Sequence, residues 1–271
     1  MEGSLNPWQV APAPAIMTCP SATLSLRCVL VSLALCVALA SACPQALAGP
    51  PYASDDPQPT ELHGYEVYAF TQGSRGPRGQ EGGAGIDFNY GAAPGLQLTA
   101  VLPVEWESGP AQPRHSGPGP VELAAKWRFV HEPARGFDLA FFPRLFLPPT
   151  QATRGERHAA LQLPLWLQFG GERWSTFGGG GCTLRGGAGT RDPCEIGWAL
   201  ARNVGGRLQL GAEVFHRGAD EPGGSPSTEL GAGATWDADE HLHLMGSIGP
   251  GLQAIGENAR THWYAALLFT W

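Results

Sequence analysis

From residue 62 to the C-terminus, apolar and polar side chains alternate with a period of two, and no stretch sustains the 3.6-residue period of a helix. Val121, Leu123, Ala125, Trp127 and Phe129 share one face, opposite Glu122, Ala124, Lys126, Arg128 and Val130. Leu96, Leu98, Ala100, Leu102 and Val104 stand opposite Gln97, Thr99, Val101, Pro103 and Glu105. Leu161, Leu163, Leu165 and Leu167 oppose Gln162, Pro164, Trp166 and Gln168. Leu208, Leu210, Ala212 and Val214 oppose Gln209, Gly211, Glu213 and Phe215. The pattern predicts about twelve strands of roughly ten residues each. They fall near 62–72, 82–91, 95–106, 120–131, 136–147, 158–169, 173–182, 194–203, 206–216, 227–236, 240–249 and 260–271.

The connections alternate too. Short turns are predicted at Ala92–Pro94, Glu132–Arg135, Gly170–Glu172, Val204–Gly205 and Asp237–Asp239. Long Gly/Pro-rich loops are predicted at 73–81, 107–119, 148–157, 183–193, 217–226 and 250–259. Short turns at one end and long loops at the other mark an all-β, transmembrane antiparallel barrel, with periplasmic turns and extracellular loops. In hydrocarbon every backbone group must be paired within the protein, which closure of the sheet achieves. Trp106, Trp127, Trp174, Trp198, Trp236, Trp263 and Trp271 fit interface girdles near strand ends or on the apolar face.

Composition separates this reading from a soluble sandwich. Of 271 residues only 15% are charged, 43% are hydrophobic and 38 are glycine, against about 25% charged and about 7% glycine in ordinary soluble domains. A sandwich would need charge on its outer faces, which here would be Leu, Ala, Phe and Trp. The apolar fraction excludes disorder, and the aperiodic glycines exclude collagen. The net charge of −7 leaves no basic excess for nucleic acid.

Cys28–Ala42 is an uninterrupted run of apolar and small residues. It spans about 15 residues, whereas a membrane-crossing helix needs about 20. Arg27 precedes it and Ala46-Leu47-Ala48 supplies a small-x-small cleavage pattern, so residues 1–48 are read as a signal peptide, with Met17 an alternative start. A lipoprotein site at Cys43 ranks second, because no Leu stands three residues before it and Pro44 follows. Residues 49–61 form a proline-rich, acidic segment before the barrel at 62–271. That segment is placed to fold into the periplasmic mouth as a plug, the alternative being a free tail.

Cleavage after Ala48 removes four of six cysteines. Cys182 and Cys194 then enter an oxidising compartment, where they bracket a turn-rich segment and face each other if their strands pair. A disulfide there is expected to contribute about 3 kcal/mol in the loop-entropy model.

Several segments resemble a family of outer-membrane transporters named for the MetA pathway of phenol degradation. They include Gly49-Pro-Pro-Tyr-Ala-Ser-Asp-Asp-Pro-Gln-Pro, Leu62-His-Gly-Tyr-Glu-Val-Tyr and Asn89-Tyr90-Gly91 with Leu96-Gln-Leu-Thr-Ala-Val-Leu-Pro. Phe141-Phe-Pro-Arg-Leu-Phe-Leu-Pro, Leu163-Pro-Leu-Trp-Leu-Gln, Phe177-Gly-Gly-Gly-Gly, Leu210-Gly-Ala-Glu-Val-Phe-His and Glu240-His-Leu-His-Leu extend the likeness. The resemblance implies an outer-membrane barrel with a transport role. It names no solute, and the Cys182/Cys194 pair lies outside its pattern. The last strand, with Trp263, Leu267, Phe269 and terminal Trp271 on one face, resembles the signal read by the barrel assembly machinery.

Alternation assigns the lumen to Glu66, Asp87, Asn89, Gln97, Glu105, Glu122, Lys126, Arg128, Asp138, Arg144, Gln162, Gln168, Glu213 and Glu229. Mixed acids and bases either line a watery passage or pair and fill the barrel, and twelve strands lie between the filled and the open sizes. The expectation is a passive channel for a small hydrophobic or aromatic solute, partnered by outer-membrane lipid and needing no cofactor. The alternatives are a closed barrel that acts through its loops, and a hydrolase at a rim carrying His158, His216, Asp220 and His262. No G-x-S-x-G motif supports the hydrolase. His241 and His243 beside Asp237 and Asp239 make a poor metal site, and Gly178–Gly181 lacks the Lys-Ser/Thr of a phosphate loop.

Overall fold

The computed structural model describes residues 51–271 except 78, 111, 150–157, 172, 187–189, 221 and 253–259. The signal-peptide and lipoprotein readings lie outside the described residues. Fourteen strand segments follow in chain order: β1 Tyr65–Gly76, β2 Gly79–Ala93, β3 Leu96–Gly109, β4 Gln112–Pro118, β5 Val121–Glu132, β6 Phe137–Phe141 and β7 Arg144–Leu147. Then come β8 Ala160–Gly170, β9 Trp174–Arg185, β10 Cys194–Asn203, β11 Leu208–Arg217, β12 Ser227–Asp237, β13 Leu242–Pro250 and β14 Thr261–Thr270. All pairings between these strands are antiparallel, and β1 pairs with both β2 and β14, which closes the sheet.

The fourteen segments make twelve barrel strands. β4 and β5 both run along β3, and β6 and β7 both lie between β5 and β8. The two breaks fall at Gly119-Pro120 and Phe142-Pro143, where proline withholds the N–H that a continuous ladder would use. The neighbouring amides keep partners across the breaks: Gly119 N donates to Pro103 O (2.9 Å) and Phe142 N to Pro164 O (3.1 Å).

Two predicted long loops are corrected. At 73–81 the ladder of β1 and β2 continues to Gly76 opposite Gly79. At 107–119 it continues to Gly109 opposite Gln112, and Gln112–Pro118 is strand. Sequence reading took the Gly, Ser and Pro of these stretches for loop, yet paired backbones tolerate them at a tall rim. The predicted loops at 148–157, 183–193 and 250–259 fall partly outside the described residues, and the second begins as strand, since β9 runs to Arg185.

The barrel is apolar outside. Leu98, Leu102, Val104, Leu123, Leu165, Ile196, Leu267 and Phe269 are exposed, with Leu102 at 61%. Trp127, Trp174, Trp236 and Trp271 stand exposed around the short-turn end. At the other end Trp106 and Trp263 lie over Gly82 and Gly73, whose missing side chains leave room for the indoles. Among the described residues no helix is long and apolar enough to cross a membrane.

The interior holds the buried polar side chains Asn89, Gln97, Thr99, Glu122, Lys126, Gln162 and Glu213. It also has an apolar side that alternation alone did not assign. Tyr68, Met245, Ala266 and Leu268 form a buried cluster there, with Phe70 and Tyr264 against it.

Candidate passage and the segment inside it

Residues 51–60 run through the barrel interior and are fastened to its wall by polar contacts. Glu213, on β11, accepts from Ala53 N (3.1 Å) and Ser54 N (2.5 Å). Gln97, on β3, accepts from Thr60 N (2.8 Å) and Thr60 Oγ1 (3.1 Å). Gln58 donates through Nε2 to Asp138 (2.6 Å) and Gln168 (3.3 Å), and its Oε1 accepts from Arg128. Lys126 Nζ donates to Asp55 Oδ1 (3.0 Å) and to Gln58 O (3.4 Å), with Asp56 Oδ1 at 4.0 Å. A carboxylate that accepts two backbone amides fixes this stretch of chain, which has no sheet partner of its own.

Apolar contacts and small residues complete the seat. Tyr52 lies against Phe177, with ring centroids 6.1 Å apart. A Cβ on Gly233 would meet the Tyr52 ring at 2.6 Å, and one on Gly197 would meet Ser54 Oγ at 2.1 Å. Burial pushes the Tyr52 phenol up to about 12, with the Glu213 carboxylate adding to the shift.

The remaining inward groups form three further sets. Arg144 binds Glu122 through Nε (2.7 Å) and Nη2 (2.8 Å), and its Nη1 reaches Gln162 (3.4 Å). Gln162 in turn donates to Glu195 (2.7 Å), which pairs with Arg217 at 3.3 Å. Gln97 and Thr99 donate to Asn89, which donates to Asp87 at 3.0 Å. Glu66 accepts from Tyr68 Oη at 3.0 Å.

Twelve of the fourteen residues assigned to the lumen therefore meet the inserted segment or one another's networks, or pair locally inside, as Glu66 does. Two stand apart. Glu105 lies exposed at the tall rim beside Gly119, and Glu229 sits 3.4 Å from His262 at the long-loop end. Sequence reasoning missed Glu195, although Ile196, Trp198 and Leu200 facing outward place it inward. It also missed Phe142, a buried ring with Lys126 Nζ 4.9 Å and the Arg144 guanidinium 5.5 Å from its centroid. The proline break hid that position from a simple alternation count.

Two of the histidines have ordinary polar partners. His216 lies 2.9 Å from Thr228 Oγ1. His243 bridges Asp237 (2.7 Å) and Thr270 (3.3 Å), which ties the turn after β12 to the last strand. Among the described residues no group of three or more His, Cys, Asp or Glu side chains could hold a metal ion. Cys182 and Cys194 are cross-strand partners on β9 and β10, joined by a disulfide with Cα atoms 3.9 Å apart.

No family model matches the chain, and no curated protein matches it. Among solved structures, an outer-membrane channel from Pseudomonas putida F1 is similar, with TM-score 0.66 and 14% identity over 80% of this chain and 98% of that one. The KdgM porin is similar with TM-score 0.51 and 10% identity, over 76% and 98%. The same porin is also known in complex with disordered oligogalacturonate, with TM-score 0.50 at 10% identity over the same shares. At such identities the likeness establishes the fold, a closed antiparallel barrel of twelve strands shared with outer-membrane proteins. The likeness to these structures does not by itself establish the phenol-pathway family.

Proposed function

We propose that the protein is a passive outer-membrane channel for a small hydrophobic or aromatic solute, with residues 49–61 acting as a removable plug. The observation that carries this reading is the way residues 51–60 occupy the interior. They cross a closed barrel held by side-chain hydrogen bonds, the ion pairs of Lys126 to Asp55 and Asp56 and a tyrosine seat, with no ladder pairing among the described residues apart from the single bridge Leu62 makes to Gly91 beyond them. Contacts of that kind exchange for water or solute far more readily than a strand leaves a sheet. The apolar side formed by Tyr68, Phe70, Met245, Tyr264 and Leu268 gives a hydrophobic body a surface to follow. The lipid-facing exterior and the aromatic ends suit an outer-membrane address.

A second reading has an observation of its own. The chain Glu122–Arg144–Gln162–Glu195–Arg217 crosses the wall of β5 and of β7 to β11 and satisfies its members mutually, as in a filled, closed barrel. Conductance and liposome solute flux separate the two. The channel reading expects a small conductance that rises in Glu213→Gln, which presents an amide group to the two backbone N–H donors of the segment. Absence of conductance and flux in both proteins would leave the closed barrel.

A further inference from the structure

We infer that Lys126, with Phe142 beside it, is a carboxylate-binding station, occupied in this structure by Asp55 and Asp56 and open to an aromatic carboxylate that displaces them. The inference rests on the channel reading above and names the solute class of that same passage.

The argument starts from the ammonium. The Lys126 side chain is 6% exposed, deep in the barrel wall, yet it carries three donors that need acceptors. Asp55 Oδ1 and Gln58 O take two of them, and Asp56 lies just beyond at 4.0 Å. Every one of these partners belongs to the inserted segment. When the segment leaves, the ammonium loses its hydrogen-bonded anion and keeps only the longer-range field of Glu66 on the wall, so an arriving anion gains a charge-assisted hydrogen bond that water alone does not match. Arg128 also releases its contact to Gln58. Arg144, by contrast, keeps its two-pronged pairing to Glu122, both groups being on the wall. Departure of the segment therefore vacates one positive station, at Lys126 and Arg128, rather than creating a generally basic lumen.

A carboxylate solute supplies what the aspartates withdraw, whereas a neutral or cationic solute does not. The ring of Phe142, 4.9 Å from Lys126 Nζ, is buried and offers a flat apolar wall next to the charge. An anionic head with a planar apolar body meets both. Because the aspartates and the solute compete for one cation, solute binding favours departure of the segment, and seating of the segment opposes the solute, by the same factor.

The test uses the refolded protein in liposomes, with benzoate and its neutral isostere benzamide as probes, alongside labelling of Ser54→Cys by a water-soluble maleimide. Benzoate is expected to cross faster than benzamide and to speed labelling, while benzamide leaves labelling unchanged. Lys126→Gln is expected to lose the preference by about tenfold, the scale of one charge-assisted hydrogen bond. Lys126→Arg should retain it. Asp55→Asn removes the hydrogen-bonded competitor and should raise benzoate flux. Equal flux of benzoate and benzamide, or a preference unchanged in Lys126→Gln, overturns the carboxylate station while leaving a channel. No flux of either probe in any variant overturns the channel reading and this inference with it. Retention of the folded band on unheated gels shows that each variant has formed its barrel.

Discussion

Gly233 shows how a single residue divides the plug from the wall. The three atoms nearest a Cβ built there all belong to Tyr52, at 2.6–3.0 Å. Gly211 is less selective, because Leu200 O lies 2.6 Å from its Cβ position as well as Tyr52 Oη at 2.4 Å. Gly233→Ala is therefore expected to unseat Tyr52 without disturbing the ladder, and so to raise conductance. Adding Tyr52→Ala should remove most of the difference between Gly and Ala at 233, a non-additivity that a double-mutant cycle in planar bilayers reads directly. Asp56 gives the same segment a dependence on pH. Burial pushes its carboxyl up to about 7, with Asp55 and Glu66 adding to the shift and Lys126 and the Gln58 amide opposing it. In water the free segment has an ordinary carboxyl, so the seated state binds more protons. Seating is then favoured at low pH and weakens as pH rises through about 7. Maleimide labelling of Ser54→Cys, normalised at each pH to the unfolded chain because the thiolate fraction itself rises with pH, should quicken between about pH 4 and about pH 7 and level off above, and Asp56→Asn should flatten that rise. Little of this was legible in the sequence. Alternation points Glu213 and Lys126 inward, but Tyr52, Ser54 and Gln58 lie in a stretch with no period, where side-chain partners follow only from the closed barrel.

Strands were legible because their signal is local. The alternation of Leu98, Leu102 and Val104 with Gln97 and Thr99 needs no knowledge of the partner strand, and β3 appears close to its predicted place. Rims were less legible, since Gly76, Gly79, Gly109 and Gln112 pair as strand despite a loop-like composition. Phe129 marks another limit, as the register of β5 against β6 shifts between Arg128 and Val130, a bulge that alternation passes over. The β9–β10 hairpin joins a legible and an illegible feature. Gly178–Gly181 lies opposite Trp198–Glu195, and a Cβ on Gly179 would come within 2.0 Å of Leu165 O, so close approach of β8 excludes side chains there. A strand without side chains contributes little packing, and the disulfide at Cys182 and Cys194 fastens the hairpin just beyond the glycine run. Cys182→Ser with Cys194→Ser is expected to lower urea stability by about 3 kcal/mol. Thiol labelling without reductant should find no reactive Cys182 or Cys194 in the folded protein.

At the scale of the whole molecule, the scarcity of charge follows from which way each face looks. A soluble protein hides its leucines and exposes its charges. Here Leu102, Ile196, Leu98 and Leu267 are exposed while Glu122, Lys126 and Glu213 are buried. Ion pairs within the wall, such as Arg144–Glu122, and from wall to segment, such as Lys126–Asp55, settle the inward charges. The same inversion turns an ordinary surface substitution into a test of environment. Leu102 sits within β3 opposite Ile86, on the apolar outer face and away from both rims. In water, Leu102→Arg would relieve an exposed apolar residue and leave stability nearly unchanged. Facing lipid, it places a guanidinium in hydrocarbon at a depth-dependent cost of about 2–4 kcal/mol near the midplane. Folding into liposomes should show that loss for Leu102→Arg and a far smaller one for Arg at Trp271, which lies at the short-turn end where a long cation reaches water. Equal stability of wild type and Leu102→Arg in liposomes would mean that this face does not meet lipid, and the barrel's place in a membrane would fall with it.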